Sequence, residues 1–412
     1  MQYGLIGEHL THSYSREIHG KIADYAYELC ELRPEELEPF FQKRDFLGIN
    51  VTIPYKQSVI SYLDSISETA QRIGAVNTIV NRGGKLHGDN TDFAGMKALV
   101  RYAGIEIAGR KVLILGTGGT SKTAHVVAES LGADSIVHVS RSRRGDAVTY
   151  AEAVQQHGDA HIIINTTPVG MYPNTVEVPI DLSHFAALEG VLDAVYHPLR
   201  SGLVLDGLSR GIPACGGLYM LVAQAVFASA AFFGKEPDLS LIDEIFRAIR
   251  LEKQNVVLIG MPSAGKTTVG SHLAKLTGKA FLDTDQIIVS HIGGTISEYF
   301  AAHGEEAFRK LEHEVISNAA KKDGCVIATG GGAVLDAENI RLLRQNGIIV
   351  FLNRSLEHLI VSAERPLSNS REALEKLYEK RYPLYAKAAD LCVDANSSPE
   401  QIANAIREEL GK

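Results

Sequence analysis

The chain has 412 residues, too many for one ordinary hydrophobic core, so two or three domains are expected. Its 45% apolar and 22% charged content is that of a globular protein, and a formal net charge of −8 argues against nucleic-acid or membrane-surface binding. Cys30, Cys215, Cys325 and Cys392 lie far apart and read as reduced thiols; residues 1–7 lack the basic and apolar regions of a signal peptide, so a cytoplasmic location is expected.

Residues 3–6 read as a short strand, running into a stretch with His9, His12, Ser13, Ser15 and His19. The three histidines have no further ligand at useful spacing and are not read as a metal site. Ser13 and Ser15 are N-cap candidates for a helix from Arg16, and also two hydroxyls able to hold a polyol. A strand from Gly48 presents Asn50, Thr52 and, after Pro54, Lys56, which on its own fits a surface lysine as well. Asn77 leads into an apolar strand at 79–80, a Gly83-Gly84 hairpin follows, and Asp92 precedes a helix over 93–102, for which it is a natural N-cap.

Residues 111–115 read as a buried strand, turned by Gly116-Thr117-Gly118-Gly119-Thr120 into a helix ending near Gly132. Further strands at 135–139, 161–164 and 191–195 alternate with helices, which implies a parallel, doubly wound sheet. A dinucleotide fits this strand–glycine–helix turn. The second strand ends in Ser140-Arg141 rather than an acidic residue, which suits a 2′-phosphate and points to NADP, although a solvated basic turn fits too. Residues 221–233 are too short to span a bilayer and read as a buried helix; 241–253 reads as a helical, stiff connector.

A buried strand at 255–259 then leads into Gly260-Met261-Pro262-Ser263-Ala264-Gly265-Lys266-Thr267-Thr268 and a helix. This is a phosphate cradle, with Lys266 as mobile charge and Thr267 placed for Mg²⁺. Asp283 and Asp285 end a strand two residues apart, where an extended backbone puts both carboxylates on one face, suited to a cation and a hydroxyl substrate; the other reading is a polar strand-to-helix turn with Asp as cap. Arg309 and Glu312 could be a helical surface pair. A strand ends at Gly330-Gly331-Gly332, where backbone can approach a ligand, and a charged helical stretch between Arg365 and Arg381 reads as a lid.

Together the first-half motifs resemble shikimate dehydrogenase. The serine pair, N-V-T-I-P-Y-K at 50–56, G-A-V-N-T at 74–78 and G-D-N-T-D at 88–92 stand in that family's order. So do N-T-T-P-V-G-M at 165–171, D-A-V-Y-H-P at 193–198 and G-L-Y-M-L-V-A-Q at 217–224. The resemblance implies a substrate pocket of Ser13, Ser15, Asn50, Thr52, Lys56, Asn77, Asp92, Tyr196 and Gln224, with Lys56 and Asp92 catalytic. It places NADP(H) on Gly116, Thr117, Gly118, Gly119, Thr120, Ser140, Arg141, Asn165, Thr166, Met171 and Gly217. Arg16 and Ser201 depart from the family's usual proline and threonine.

Residues 255–412 resemble shikimate kinase. This implies ATP on Gly260, Ser263, Ala264, Gly265, Lys266, Thr267, Thr268 and Arg365, and Mg²⁺ held by Thr267 and Asp283. It implies shikimate on Asp285, Arg309, Gly330, Gly331, Gly332 and Arg381, with Asp285 as base and Lys266 also catalytic. Ser263 stands where the family usually has a third glycine, at about 1 kcal/mol if φ there is positive, and the 366–382 lid looks short.

The expected fold is α/β: a two-domain dehydrogenase with a Rossmann-like NADP domain, then a P-loop parallel α/β domain like the nucleoside-monophosphate kinases. Expected bounds are 1–103 plus 215–250 for the substrate domain, 104–214 for the NADP domain and 251–412 for the kinase. The expected function is bifunctional, reducing 3-dehydroshikimate to shikimate with NADPH, then phosphorylating shikimate with MgATP, in aromatic amino-acid biosynthesis. Small molecules are the expected partners, with monomer or homodimer open. Other readings are an NAD-using quinate-type dehydrogenase fused to a small-molecule kinase, and a non-catalytic sensor; joint retention of Lys56, Asp92, Lys266 and Asp285 speaks against the sensor.

Overall fold

A computed structural model describes residues 1–10, 13–143, 145–361 and 370–411. The chain divides into two compact units, residues 1–249 and 250–412.

The first unit holds two sheets. Strands β1 (Tyr3–Gly7), β2 (Tyr27–Glu31), β3 (Gly48–Val51), β4 (Ser65–Ile66), β5 (Thr78–Arg82) and β6 (Lys85–Asp89) form a mixed sheet in the order β2-β1-β3-β5-β6-β4. Its antiparallel hairpin, β5 to β6, turns on Gly83 and Gly84, both at positive φ, which glycine adopts without a Cβ penalty. The second sheet comprises β7 (Lys111–Leu115), β8 (Ser135–Ser140), β9 (Val148–Thr149), β10 (Ile162–Asn165), β11 (Gly190–Asp193) and β12 (Ala214–Cys215). All its pairings are parallel, in the order β12-β11-β10-β7-β8-β9. This is the doubly wound dinucleotide order, which reverses between β7 and β10 and opens a crevice at their carboxyl ends. The strands are nearly continuous Val, Ile and Leu because helices cover both faces. The helix Leu218–Phe233 has apolar residues on most sides and is correspondingly buried, with Phe232 packed among Leu5, Tyr27 and Val80 of the first sheet.

The second unit is built on β13 (Asn255–Ile259), β14 (Ala280–Asp283), β15 (Cys325–Ala328), β16 (Gly347–Asn353) and β17 (Leu391–Asp394), all parallel, in the order β14-β15-β13-β16-β17. The central strand β13 is wholly buried and delivers the glycine loop at its carboxyl end. Among the described residues no helix is long and apolar enough to cross a membrane.

Three local expectations change. The first helix is Ser15–Ile22, with Tyr14 at the cap position; Ser13 Oγ instead accepts from the Ser15 amide at 3.2 Å. Asp92 is not the cap of Thr91–Tyr102, because Asn90 Oδ1 accepts from the Phe93 amide. Asp283 and Asp285 do not share a strand face, because a helix, Thr284–Ile292, starts between them.

Candidate active sites

In the first unit, displacement of Asp92 from the cap leaves its carboxylate to Lys56, whose Nζ donates to Oδ2 at 2.5 Å. Both side chains are largely buried, 14% and 8% exposed, so the charges meet in a poorly solvated place. They face a cavity of about 320 Å³. All the substrate residues named from the sequence line it: Ser13, Ser15, Asn50 and Thr52, then Asn77, Tyr196 and Gln224 beside the Lys56–Asp92 pair. Behind them runs a buried polar wall. Tyr27 donates to Asn50 Oδ1 at 2.8 Å, Asn50 Nδ2 donates to Thr78, and Asn77 Oδ1 accepts from the Thr91 amide at 2.7 Å. Tyr172 and His197 also line the cavity and escaped the sequence reading; His9, which the sequence offered only as a rejected metal ligand, lines it too. Tyr172 and His197 stack at 5.0 Å, and His197 sits within the D-A-V-Y-H-P motif that could have signalled it. Burial pushes the Tyr196 phenol up to about 12, so it stays a neutral hydroxyl.

The dinucleotide loop adjoins this cavity. A Cβ built on Gly119 would lie 3.7 Å from Lys56 Cδ. Gly116, at φ 113°, lies so close to β10 that a Cβ would stand 2.7 Å from Thr166 Oγ1. Gly118 and Gly119 start the helix Gly119–Ser130, between Thr117 and Thr120, with no side-chain cap. Its first amides therefore keep their donors for an anion. Ser140 ends β8, Arg141 is exposed, and Arg143 pairs with Glu152. Met171 is 40% exposed and lines the substrate cavity. Gly217 allows the backbone of Ala194 to approach, since a Cβ would stand 2.3 Å from its carbonyl oxygen.

The Asn165 side chain is buried, donating to Asp193 at 2.9 Å and accepting from the amide and hydroxyl of Thr167, and so braces the turn. Thr166 likewise spends its hydroxyl proton on the Leu115 carbonyl at 2.6 Å. Burial raises the Asp193 carboxyl to about 7, against the pull of donors Ser201, Val195 and Asn165. Ser201 supplies the same hydroxyl that a threonine would.

In the second unit one cavity of about 830 Å³ joins the glycine loop to the other predicted residues. Ser263, Gly265, Lys266, Thr267 and Thr268 line it; Gly260, at φ 148°, and buried Ala264 shape the loop behind. Lys266 Nζ donates to the carbonyls of Gly260 and Met261 at 2.8 and 2.9 Å. Asp283 does two jobs. Oδ1 caps the following helix through the amides of Asp285 and Gln286, while Oδ2 accepts from Thr267 Oγ1 at 2.6 Å. The hydroxyl and carboxylate oxygens so paired are hard donors that fit Mg²⁺.

Asp285, Arg309, Arg381 and the triple glycine meet on the far side. Glu312 is 1% exposed and accepts from Arg309 at 2.6 Å, so this is no surface pair. Burial raises its pKa, Arg309 opposing. The signal for Glu312 was its spacing three residues after Arg309. Arg381 donates to the Gly331 carbonyl at 2.9 Å and Tyr385 donates to the same oxygen. Gly332 leaves room for the Arg309 side chain: a Cβ there would come within 2.6 Å of three guanidinium atoms, so the guanidinium would have to shift. Residues 371–388 form one helix carrying Arg381. Arg365, and with it the start of the expected lid, lies outside the described residues, as do His12 and Arg144.

Family models match at both ends: a shikimate dehydrogenase substrate binding domain over residues 5–79 and shikimate kinase over 262–411. A shikimate dehydrogenase (NADP(+)) of Clostridium beijerinckii is 37% identical over 243 residues, covering 55% of this chain and 89% of the relative. The crystal structure of shikimate dehydrogenase 1 from Peptoclostridium difficile is 35% identical, with TM-score 0.57, covering 61% of this chain and 99% of that one. The Thermus thermophilus shikimate 5-dehydrogenase in complex with NADP(H) and shikimate is 28% identical, with TM-score 0.54, covering 60% and 99%. The chain belongs to the shikimate dehydrogenase family and carries a shikimate kinase domain at its C-terminal end.

Proposed function

We propose that the first unit reduces 3-dehydroshikimate to shikimate with NADPH, and that the second phosphorylates the shikimate 3-hydroxyl with MgATP. The observation that carries the reading is the buried Lys56–Asp92 pair, set in a cavity of hydroxyls and amides and lying against Gly119 of the dinucleotide loop. NADPH supplies the hydride. Lys56, held by Asp92, supplies the proton that the developing alkoxide needs. Ser13, Ser15 and Thr52 offer hydroxyls to the substrate's ring hydroxyls and carboxylate, and Gln224 closes the same cavity. Arg141, which has no carboxylate partner among the described residues, meets the 2′-phosphate; Arg143 is already paired.

For the second reaction, ATP and Mg²⁺ supply the phosphoryl group and charge neutralisation. Thr267 and Asp283 hold the cation, and the loop amides with Lys266 hold the phosphates. Arg309 and Arg381 grip the substrate carboxylate with forked donors. Asp285 orients the attacking hydroxyl and takes its proton, while Glu312 holds Arg309 in place. These are mostly positioning and charge effects, as phosphoryl transfer requires.

One coupled assay tests both halves. Purified protein with 3-dehydroshikimate, NADPH and MgATP should consume NADPH and then release ADP in equal amount. No NADPH consumption rejects the first half; NADPH loss without ADP rejects the second.

A further inference from the structure

The dinucleotide sheet contains a hydrogen-bond chain that the catalytic roles above do not use. The Gly116 carbonyl accepts from Ser121 Oγ at 2.7 Å. Ser121 Oγ lies 3.0 Å from His138 Nδ1, and His138 Nε2 lies 3.0 Å from His125 Nδ1. The imidazole rings stack 5.1 Å apart at 16°.

The proton positions follow from the partners. A carbonyl only accepts, so the one Ser121 hydroxyl proton points at Gly116. His138 Nδ1 must then donate to Ser121, which leaves Nε2 bare to accept from His125 Nδ1. Every donor runs towards Gly116. A further proton fits on His125 Nε2 without breaking a link, whereas one on His138 Nε2 would force His125 into its other tautomer and reverse the link between the rings. Burial first, and then His125, hold the His138 pKa below its ordinary value, which keeps that ring neutral. Nearby charges are engaged elsewhere: on the same helix Lys122 reaches Gln57 and Glu129 pairs with Arg72, and on β7 Lys111 pairs with Asp159. The Gly116 carbonyl opposes both burial and His125, since a hydrogen bond to it favours the protonated ring.

Gly116 stands at the carboxyl end of β7, where the strand order reverses, and its backbone direction aims the amides that follow. We infer that Ser121, His138 and His125 are positioning residues for the dinucleotide loop, holding the Gly116 carbonyl so that amides 117–120 meet the cofactor pyrophosphate. The inference rests on the dehydrogenase reading above.

Steady-state kinetics with NADPH and 3-dehydroshikimate separate the two. Ser121→Ala and His138→Phe should each raise KM for NADPH about fivefold, the worth of one neutral hydrogen bond, with kcat and KM for 3-dehydroshikimate unchanged. His138→Asn, whose amide N–H replaces Nδ1–H, should restore most of the affinity although it fills the space worse than Phe. An inactive wild type rejects the dehydrogenase reading itself. An active wild type with Ser121→Ala at wild-type KM for NADPH overturns the inference, as does His138→Asn being as impaired as His138→Phe. Ser121→Ala removes one oxygen, so the test stands even if His138→Phe does not fold.

Discussion

Ser263 shows what one side chain can reveal. Its φ is 65°, a left-handed conformation that a Cβ makes costly, by about 1 kcal/mol. Its hydroxyl donates to the Ile360 carbonyl at 2.8 Å, an exposed contact that offsets part of the strain. Ser263→Gly is therefore expected to stabilise the kinase unit by up to about 1 kcal/mol, and Ser263→Ala to destabilise it slightly. Urea unfolding of both variants checks this; a less stable glycine variant would mean the hydroxyl contact outweighs the strain. Lys56→Ala should lower dehydrogenase kcat by at least about 100-fold, since it deletes the proton donor, without changing phosphorylation of added shikimate. Spectrophotometric rates for each reaction separately decide it.

At the scale of elements, the wall behind the dehydrogenase cavity depends on a buried histidine. His19 stacks on Tyr27 at 3.8 Å, and Tyr27 in turn holds Asn50. Burial holds the His19 pKa down to about 3, against 6.5 in the unfolded chain. Between these values the unfolded chain binds the extra proton, so stability rises with pH in that window. The contribution is complete above about 6.5 and is lost as pH falls towards 3. His19→Phe should flatten acid unfolding of the first unit over that range, measured by circular dichroism; an unchanged profile would exclude His19 as its source. The helix Ile296–Ala320, kinked at Gly304, brings Arg309 against Gly332. Gly332→Ala must displace the guanidinium, and should raise KM for shikimate well above any change in KM for ATP.

For the whole molecule, the residues proposed for each reaction fall within one unit, Lys56 and Asp92 in the first and Lys266 and Asp285 in the second. Lys266→Ala should abolish phosphorylation while sparing NADPH oxidation, the converse of Lys56→Ala. Loss of both activities in either variant, assayed separately, would contradict that independence.

The amino-acid sequence determined what contiguous backbone can encode. The glycine loop at 260–268 and the strand–turn–helix at 111–130 are local, because phosphate-binding amides come from consecutive residues. The motif series likewise identified both families, and alternating strands and helices announced parallel sheets. Tertiary structure decided what depends on register and helix phase. Asn90 rather than Asp92 caps its helix, and Lys56 meets Asp92 across 36 residues. Asn165 turns inward to Asp193, Glu312 is buried, and His125 and His138 line up on Gly116 through Ser121. In each case the residue had at least two chemically reasonable partners along the chain. Only packing showed which came within hydrogen-bond reach, and unpaired polar groups cost too much in a buried site for the choice to stay open.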